Sequence, residues 1–216
     1  MPRTRTVTTT VYTFDELSPT ARERALDHCR HWSVEDNEWW DSTFDTIITA
    51  GRILGIQIEN ERCHGQGNTY SRPRIYFSGF SSQGDGLSYE GTYHYAKGWK
   101  KALRKEFGGE MYDALLAIGQ ELQDAQRRAK WEASAHIAQT GRYHGLKVTV
   151  CIDGDEVWTG DTETDIEGDI GQALSDFASW AYRLLESEYE WLTGGEQVTE
   201  MIKMNEYEFT KEGEVA

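Results

Sequence analysis

Proline and cysteine are both scarce in this chain, at 3 residues each of 216. With so few prolines and no Ser-rich run, nothing reads as an interdomain linker, and a single domain spanning residues 1–216 is expected. Cys29, Cys63 and Cys151 are odd in number and irregular in spacing. That excludes a disulfide framework and predicts free thiols in a reducing compartment. No apolar run approaches the ~18 residues that a membrane-crossing helix needs. The opening Met1-Pro2-Arg3-Thr4-Arg5-Thr6 has no signal-like apolar stretch, so a cytoplasmic location is expected. Also missing are GxSxG, a dinucleotide-binding GxGxxG, HExxH, a phosphate loop and the kinase signatures.

What the chain has in abundance is aromatic residues and acid. Eight Trp and 11 Tyr argue for a folded core, because disordered chains are poor in aromatics. The net charge of −15 is unevenly spread. Acids and bases balance at 19 each through Thr149, whereas residues 150–216 hold 18 acids against Arg183, Lys203 and Lys211. An acidic third of this kind repels nucleic acid and attracts a basic partner.

Hydrophobic spacing predicts the elements. Thr6 to Tyr12 is a β-branched run and reads as a strand. Ser18-Pro19 opens a helix, with Ser as N-cap and Pro where its missing N–H costs nothing. Ala21, Ala25, Cys29 and Trp32 form its stripe. A second helix is predicted over Asp36 to Leu54, capped by Gly55, then a strand over Ile56 to Asn60 and a loop to Pro73. Strands follow at Arg74 to Phe80 and Leu87 to Tyr95, and helices at Lys97 to Phe107 and Glu110 to Lys130. Glu132 to Thr140 and Leu146 to Ile152 read as a hairpin. A long helix from Asp169 to Leu192, a short one after Gly195 and an extended tail from Tyr207 complete the chain. Runs of strands and hairpins without regular βαβ alternation predict an α+β fold, an antiparallel sheet with helices packed mainly on one face.

The densest polar motif is the turn between the two central strands. Ser78, Ser81, Ser82, Gln83 and Asp85 could bind a small polar ligand there, and Asp85 and Glu90 are the candidate acid and base. The same residue types also serve a tight turn for its backbone geometry alone. Zinc ligation by His28, Cys29, His31, Cys63 and His64 lacks the spacing of a closed site, so no metal and no cofactor is expected. The eight acids Asp153, Asp155, Glu156, Asp161, Glu163, Asp165, Glu167 and Asp169 fail the calcium-loop pattern, since Ile166 and Gln172 stand where Gly and Glu are needed. They read instead as a partner-binding surface or a solvated loop. The opposite patch is the helix bearing Lys97, Lys100, Lys101, Arg104 and Lys105. Five bases there could contact phosphate, but such a run more often is the solvated face of an amphipathic helix, and the total charge opposes nucleic acid. Arg3 and Arg5 would extend the patch.

The run Tyr76-Phe77-Ser78-Gly79-Phe80-Ser81-Ser82-Gln83-Gly84-Asp85-Gly86, with Tyr89-Glu90-Gly91, resembles a family of bacteriophage and prophage proteins of unknown function. Tyr12-Thr13-Phe14-Asp15-Glu16-Leu17, Glu38-Trp39-Trp40-Asp41 and Glu188-Tyr189-Glu190-Trp191-Leu192 share the likeness, so it covers most of the chain. Some members of that family bear an antitoxin-like label. The resemblance implies a phage protein in the bacterial host cytoplasm and transfers no functional residues. Together with the acidic third, it leads to the expectation of a non-enzymatic protein that blocks a basic host nucleic-acid-handling enzyme or defence complex. An enzyme or ligand-binding protein centred on Ser78–Glu90, and an antitoxin-like neutraliser of a basic toxin, are the alternatives.

Overall fold

The computed structural model describes residues 8–35, 38–65, 68–140, 144–152, 155–156 and 165–216, the side chains of Gly65, Asn68, Asp155 and Glu156 excepted. The chain forms two compact units, Met1–Trp39 with Ser187–Ala216, and Trp40–Glu186.

In the first unit, strand β1 (Tyr12–Thr13) leads through a 3₁₀ turn (Phe14–Glu16) into helix α1 (Pro19–Cys29), followed by the short α2 (Trp32–Glu35). Ser18 Oγ accepts the Ala21 N–H at 3.3 Å, the N-cap expected from Ser-Pro. The buried stripe Ala21, Ala25 and Cys29 packs with Phe14, Leu17 and Phe209. Burial pushes the Cys29 thiol up to about 11, so it is an inert core thiol. The predicted strand over Thr6 to Tyr12 is limited among the described residues to Tyr12–Thr13. Thr6 and Val7 lie outside them.

The second unit begins with α3 (Asp41–Leu54), which starts later than the predicted Asp36, and ends at Gly55. Then come β2 (Ile56–Ile58), β3 (Asn60–Gly65), β4 (Asn68–Pro73), β5 (Ile75–Phe77), β6 (Leu87–Tyr89) and β7 (Gly91–His94). The loop expected before Pro73 is instead a hairpin, with Asn60 opposite Pro73 and Cys63 opposite Tyr70. Its polar sequence has no alternating apolar face, so periodicity gave no signal. Helices α4 (Trp99–Glu106) and α5 (Gly109–Arg128) precede the long hairpin of β8 (Ala133–Thr140) and β9 (Gly145–Ile152). The short β10 (Asp155–Glu156) pairs antiparallel with β9.

Helix α6 (Ile166–Leu192) follows, its residues from Ser187 counting with the first unit. In that unit α7 (Gly195–Met204) precedes β11 (Glu208–Phe209), which pairs antiparallel with β1. Val198 and Ile202 of α7 complete the unit's core.

The main sheet runs β10-β9-β8-β7-β2, antiparallel throughout. Ile56, Tyr93, Ala135, Ile137 and Val150 point to its buried face. Thr92, His94, Ser134, His136 and Thr149 alternate onto the other face and are exposed or half-buried. The expected α+β class with one covered sheet face is therefore the observed one. Leu115, Ile118 and Leu122 of α5, and Ile170, Leu174 and Phe177 of α6, are buried. Each such side chain contributes about 1.5–3 kcal/mol of transfer free energy.

The two central strands do not form one uninterrupted hairpin. β5 pairs with β6 only from Ile75–Tyr89 to Phe77–Leu87, while β7 leaves to join β2 and β8. Glu90 is the corner. Its N–H donates to the Arg74 carbonyl at 3.0 Å, and its carbonyl accepts the Glu59 N–H at 2.9 Å.

Candidate functional site

The connection from β5 to β6 is a closed turn. Ser78 N–H donates to the Gly86 carbonyl at 3.2 Å, and Asp85 N–H donates to the Ser82 carbonyl at 3.1 Å. Gly84 takes the left-handed conformation, with φ of 105°. The Asp85 carboxylate folds back inside this loop. One oxygen accepts the N–H groups of Ser82 at 2.6 Å and Ser81 at 3.0 Å, and the other accepts the Ser78 hydroxyl at 3.3 Å. Those donors, the Ser82 N–H first, hold its pKa below the ordinary carboxylate value.

Helix α6 braces the turn. The Tyr182 hydroxyl donates to the Gly79 carbonyl at 2.8 Å, and the Phe80 ring lies 5.4 Å from that of Tyr182. Burial of the Tyr182 hydroxyl, followed by the nearby Glu186 and Asp85 charges, raises its pKa.

The decisive addition is His144, at the start of β9, with its backbone in the left-handed region at φ of 51°. Its Nε2 lies 2.9 Å from Ser78 Oγ and its Nδ1 lies 3.3 Å from Ser88 Oγ. Counting protons assigns the direction of this chain. Ser88 is fully buried, and His144 is its one side-chain hydrogen-bond partner among the described residues. Its hydroxyl therefore donates to Nδ1, Nε2–H donates to Ser78 Oγ, and the Ser78 hydroxyl donates to Asp85. The opposite tautomer strands the buried Ser88 proton, at a cost of about 1–3 kcal/mol. In the favoured arrangement His144 is a donor to Ser78 and does not act as its base. In that tautomer the Ser78 hydroxyl is directed at Asp85.

Beside the relay opens a cleft of about 420 Å³, lined by Asp85, His144, Ser175, Ser179, Tyr182 and Arg183 among others. The Ser175 and Ser179 hydroxyls donate to the Gly171 and Ser175 carbonyls of their own helix, which leaves their oxygens as acceptors. Arg183 is exposed and makes no ion pair with another described residue.

Of the residues singled out by sequence, Ser78, Ser81, Ser82 and Asp85 meet in one network, while Gln83 is exposed at the tip. Glu90 belongs elsewhere. It pairs with the Arg74 guanidinium at the sheet corner, so Asp85 and Glu90 sit in separate hydrogen-bond networks.

Within the acidic set, Asp153, Asp161 and Glu163 lie outside the described residues, and for Asp155 and Glu156 only the backbone in β10 is described. Asp165 accepts the Gly168 N–H at 2.8 Å, Asp169 pairs with Arg128, and Glu167 is half-buried. Arg3 and Arg5 also fall outside the described residues.

The zinc candidates have other engagements. His28 packs on Trp32, the His31 ring stacks on Tyr189, and His64 Nδ1 lies 3.1 Å from the Thr69 hydroxyl. Among the described residues no cluster of three or more His, Cys, Asp or Glu could hold a metal ion, and no helix is long and apolar enough to cross a membrane.

Sequence reasoning missed His144, Tyr182 and Arg183. His144 is 66 residues from Ser78, and only its place in a Gly-flanked turn marked it locally. No curated protein and no solved structure matches the chain. Residues 39–195 match a family described as a domain of unknown function, DUF8835. The match takes in the turn, His144 and every residue of the cleft, and the chain belongs to that family.

Proposed function

We propose that this chain is a binding protein for a small anionic ligand, held in the cleft between the Ser78–Gly86 turn and α6. One observation carries the reading. Among the described residues that line the cleft, Asp85 is the one carboxylate and already has three donors, whereas Arg183 is the one guanidinium and has no carboxylate partner among the described residues. Arg183 is therefore the charged group of the cleft left with its donors unengaged by an ion pair, and the cleft volume suits a small molecule. Arg183 would supply a forked, charge-assisted contact, with His144 and Tyr182 as flat walls.

Phosphate, citrate and a neutral sugar form a suitable first panel, read by thermal shift and calorimetry. An anion is expected to bind and the sugar to fail. Arg183→Gln should weaken anion binding by about tenfold or more, the worth of a hydrogen bond to a charged group. Equal affinity in the variant would remove Arg183 from the site.

A second reading rests on a different observation. In the first unit Glu190, Glu196 and Glu200 line a groove of about 490 Å³ beside Trp191, which is 56% exposed. Acids around an exposed Trp suit a basic protein partner, because the ring and the carboxylates both favour a cation. The groove supports a partner with a basic surface. If the chain is a phage protein in the host cytoplasm, that partner would be a nucleic-acid-handling enzyme, a defence complex or, in the antitoxin-like variant, a toxin. Neutralising Glu190, Glu196 and Glu200 to Gln should abolish salt-sensitive capture of that partner from host lysate. Neutralising Asp161, Glu163, Asp165 and Glu167 tests the loop as the alternative contact. Undiminished capture by both variants would end the acidic-surface reading.

A further inference from the structure

At the C-terminal end of α5 the backbone turns through two consecutive left-handed residues, Lys130 at φ of 54° and Trp131 at φ of 71°. Neither is glycine. The left-handed region is disfavoured for an L-residue, and a bulky side chain there is an outlier. Hydrogen bonding accounts for part of the geometry. Trp131 N–H donates to the Gln126 carbonyl at 2.7 Å and Lys130 N–H donates to the Arg127 carbonyl at 3.2 Å, closing the helix end. It does not account for the choice of tryptophan, since Gly or Asn closes a helix this way with less strain. Nor does core packing, because Trp131 remains 46% exposed.

Its ring lies against Tyr95, with centroids 4.6 Å apart. Tyr95 in turn opens directly onto a basic helix. After Ala96 and Lys97 the chain enters α4, where Trp99 N–H donates to the Ala96 carbonyl at 3.4 Å. Trp99 and Leu103 anchor α4 to the core, and Lys97, Lys100, Lys101, Arg104 and Lys105 are all exposed, as is Lys130. Glu106 and Glu132 are the only acids on these flanking segments. Two independent features therefore meet here, a strained and exposed Trp131 lying on the half-buried Tyr95, and a run of cations with little local compensation.

We infer that the Tyr95–Trp131 pair and α4 form a binding face for single-stranded nucleic acid. The rings offer a stacking surface for unpaired bases, and the cations of Lys97, Lys101 and Lys130 track the phosphates. Stacking on an aromatic is indifferent to base identity and needs an unstacked strand, so a duplex fits this face poorly. The face shares no residue with the anion cleft, and either stands without the other.

The test is fluorescence anisotropy with a labelled oligothymidylate of roughly 12 nucleotides at low salt, beside a duplex of equal length. Binding that weakens as salt rises and prefers the single strand is expected. Trp131→Asn keeps a residue that accepts the left-handed backbone. It should weaken binding about tenfold while leaving the thermal unfolding temperature equal or higher. Lys97→Gln with Lys101→Gln, a surface change that leaves the helix end untouched, should flatten the salt dependence. The inference is overturned by no binding up to about 100 μM, by a duplex that binds as tightly, or by a folded Trp131→Asn protein of unchanged affinity.

Discussion

Gly55→Ala is expected to destabilise the second unit by more than about 3 kcal/mol, a large effect for the addition of one methyl group. Gly55 ends α3 with φ of 90°, where its N–H reaches the Arg52 carbonyl. A side chain in that conformation is strained wherever it sits. At this position it also has no room, because a Cβ would stand 1.9 Å from the His94 carbonyl oxygen. That oxygen belongs to backbone at the end of β7 and cannot swing aside. The same approach is held from the other direction by His94 N–H, which donates to the Gly55 carbonyl at 3.0 Å. Alanine must therefore open the seam between β2 and β7. A large fall in urea midpoint, or loss of soluble folded protein, is the expected readout. A variant that unfolds at the wild-type midpoint would contradict this packing.

Asp85→Ala comes second, and it separates a turn-forming role from a chemical one. Three donors inside the Ser78–Gly86 loop converge on that carboxylate, and Ser78 connects it to His144. Removing it should lower the urea midpoint and, if the cleft binds the proposed anion, weaken that binding as well, because the turn forms one wall. The pH dependence follows from the direction of the shift. The folded carboxylate has the lowered pKa and the unfolded one the ordinary value. Its stabilisation is thus complete above the ordinary carboxylate range and disappears as pH falls through the lowered value. Asp85→Asn retains one acceptor and no charge. It should be less stable than wild type at neutral pH and converge with it in acid, from about pH 4 downward. Urea midpoints for both proteins across that range check the sign. A constant gap would remove the carboxylate's charge from the account, and an Asp85→Asn protein of unchanged stability would remove the turn-forming role.

Much of the architecture was legible along the chain. Ser18-Pro19 set the start of α1, the stripe Leu115, Ile118, Leu122 and Ala125 set the buried face of α5, and alternation from Lys147 to Ile152 set β9. These signals are local, because a helix or a half-buried strand writes its own period into a short window. The hairpin of β3 and β4 was not legible. Its residues, from Asn60 to Pro73, are mostly polar and carry no apolar stripe, so backbone pairing and the cross-strand pairs Glu61–Arg72 and His64–Thr69 hold it.

The candidate site divides along the same line. Asp85 with Ser78, Ser81 and Ser82 could be read from the turn, since a short polar side chain bonds backbone within reach of its own loop. By itself the sequence also determined where the charge lies, which stretches hold the long helices, and that no familiar catalytic signature is present. Tertiary structure alone decided that Glu90 leaves Asp85 for Arg74, that His144 joins Ser78 to Ser88, that Arg183 lines the same cleft as His144, and that Trp131 meets Tyr95. Each of those contacts joins segments far apart in the chain. Their geometry follows from strand register and helix packing, which no local period encodes.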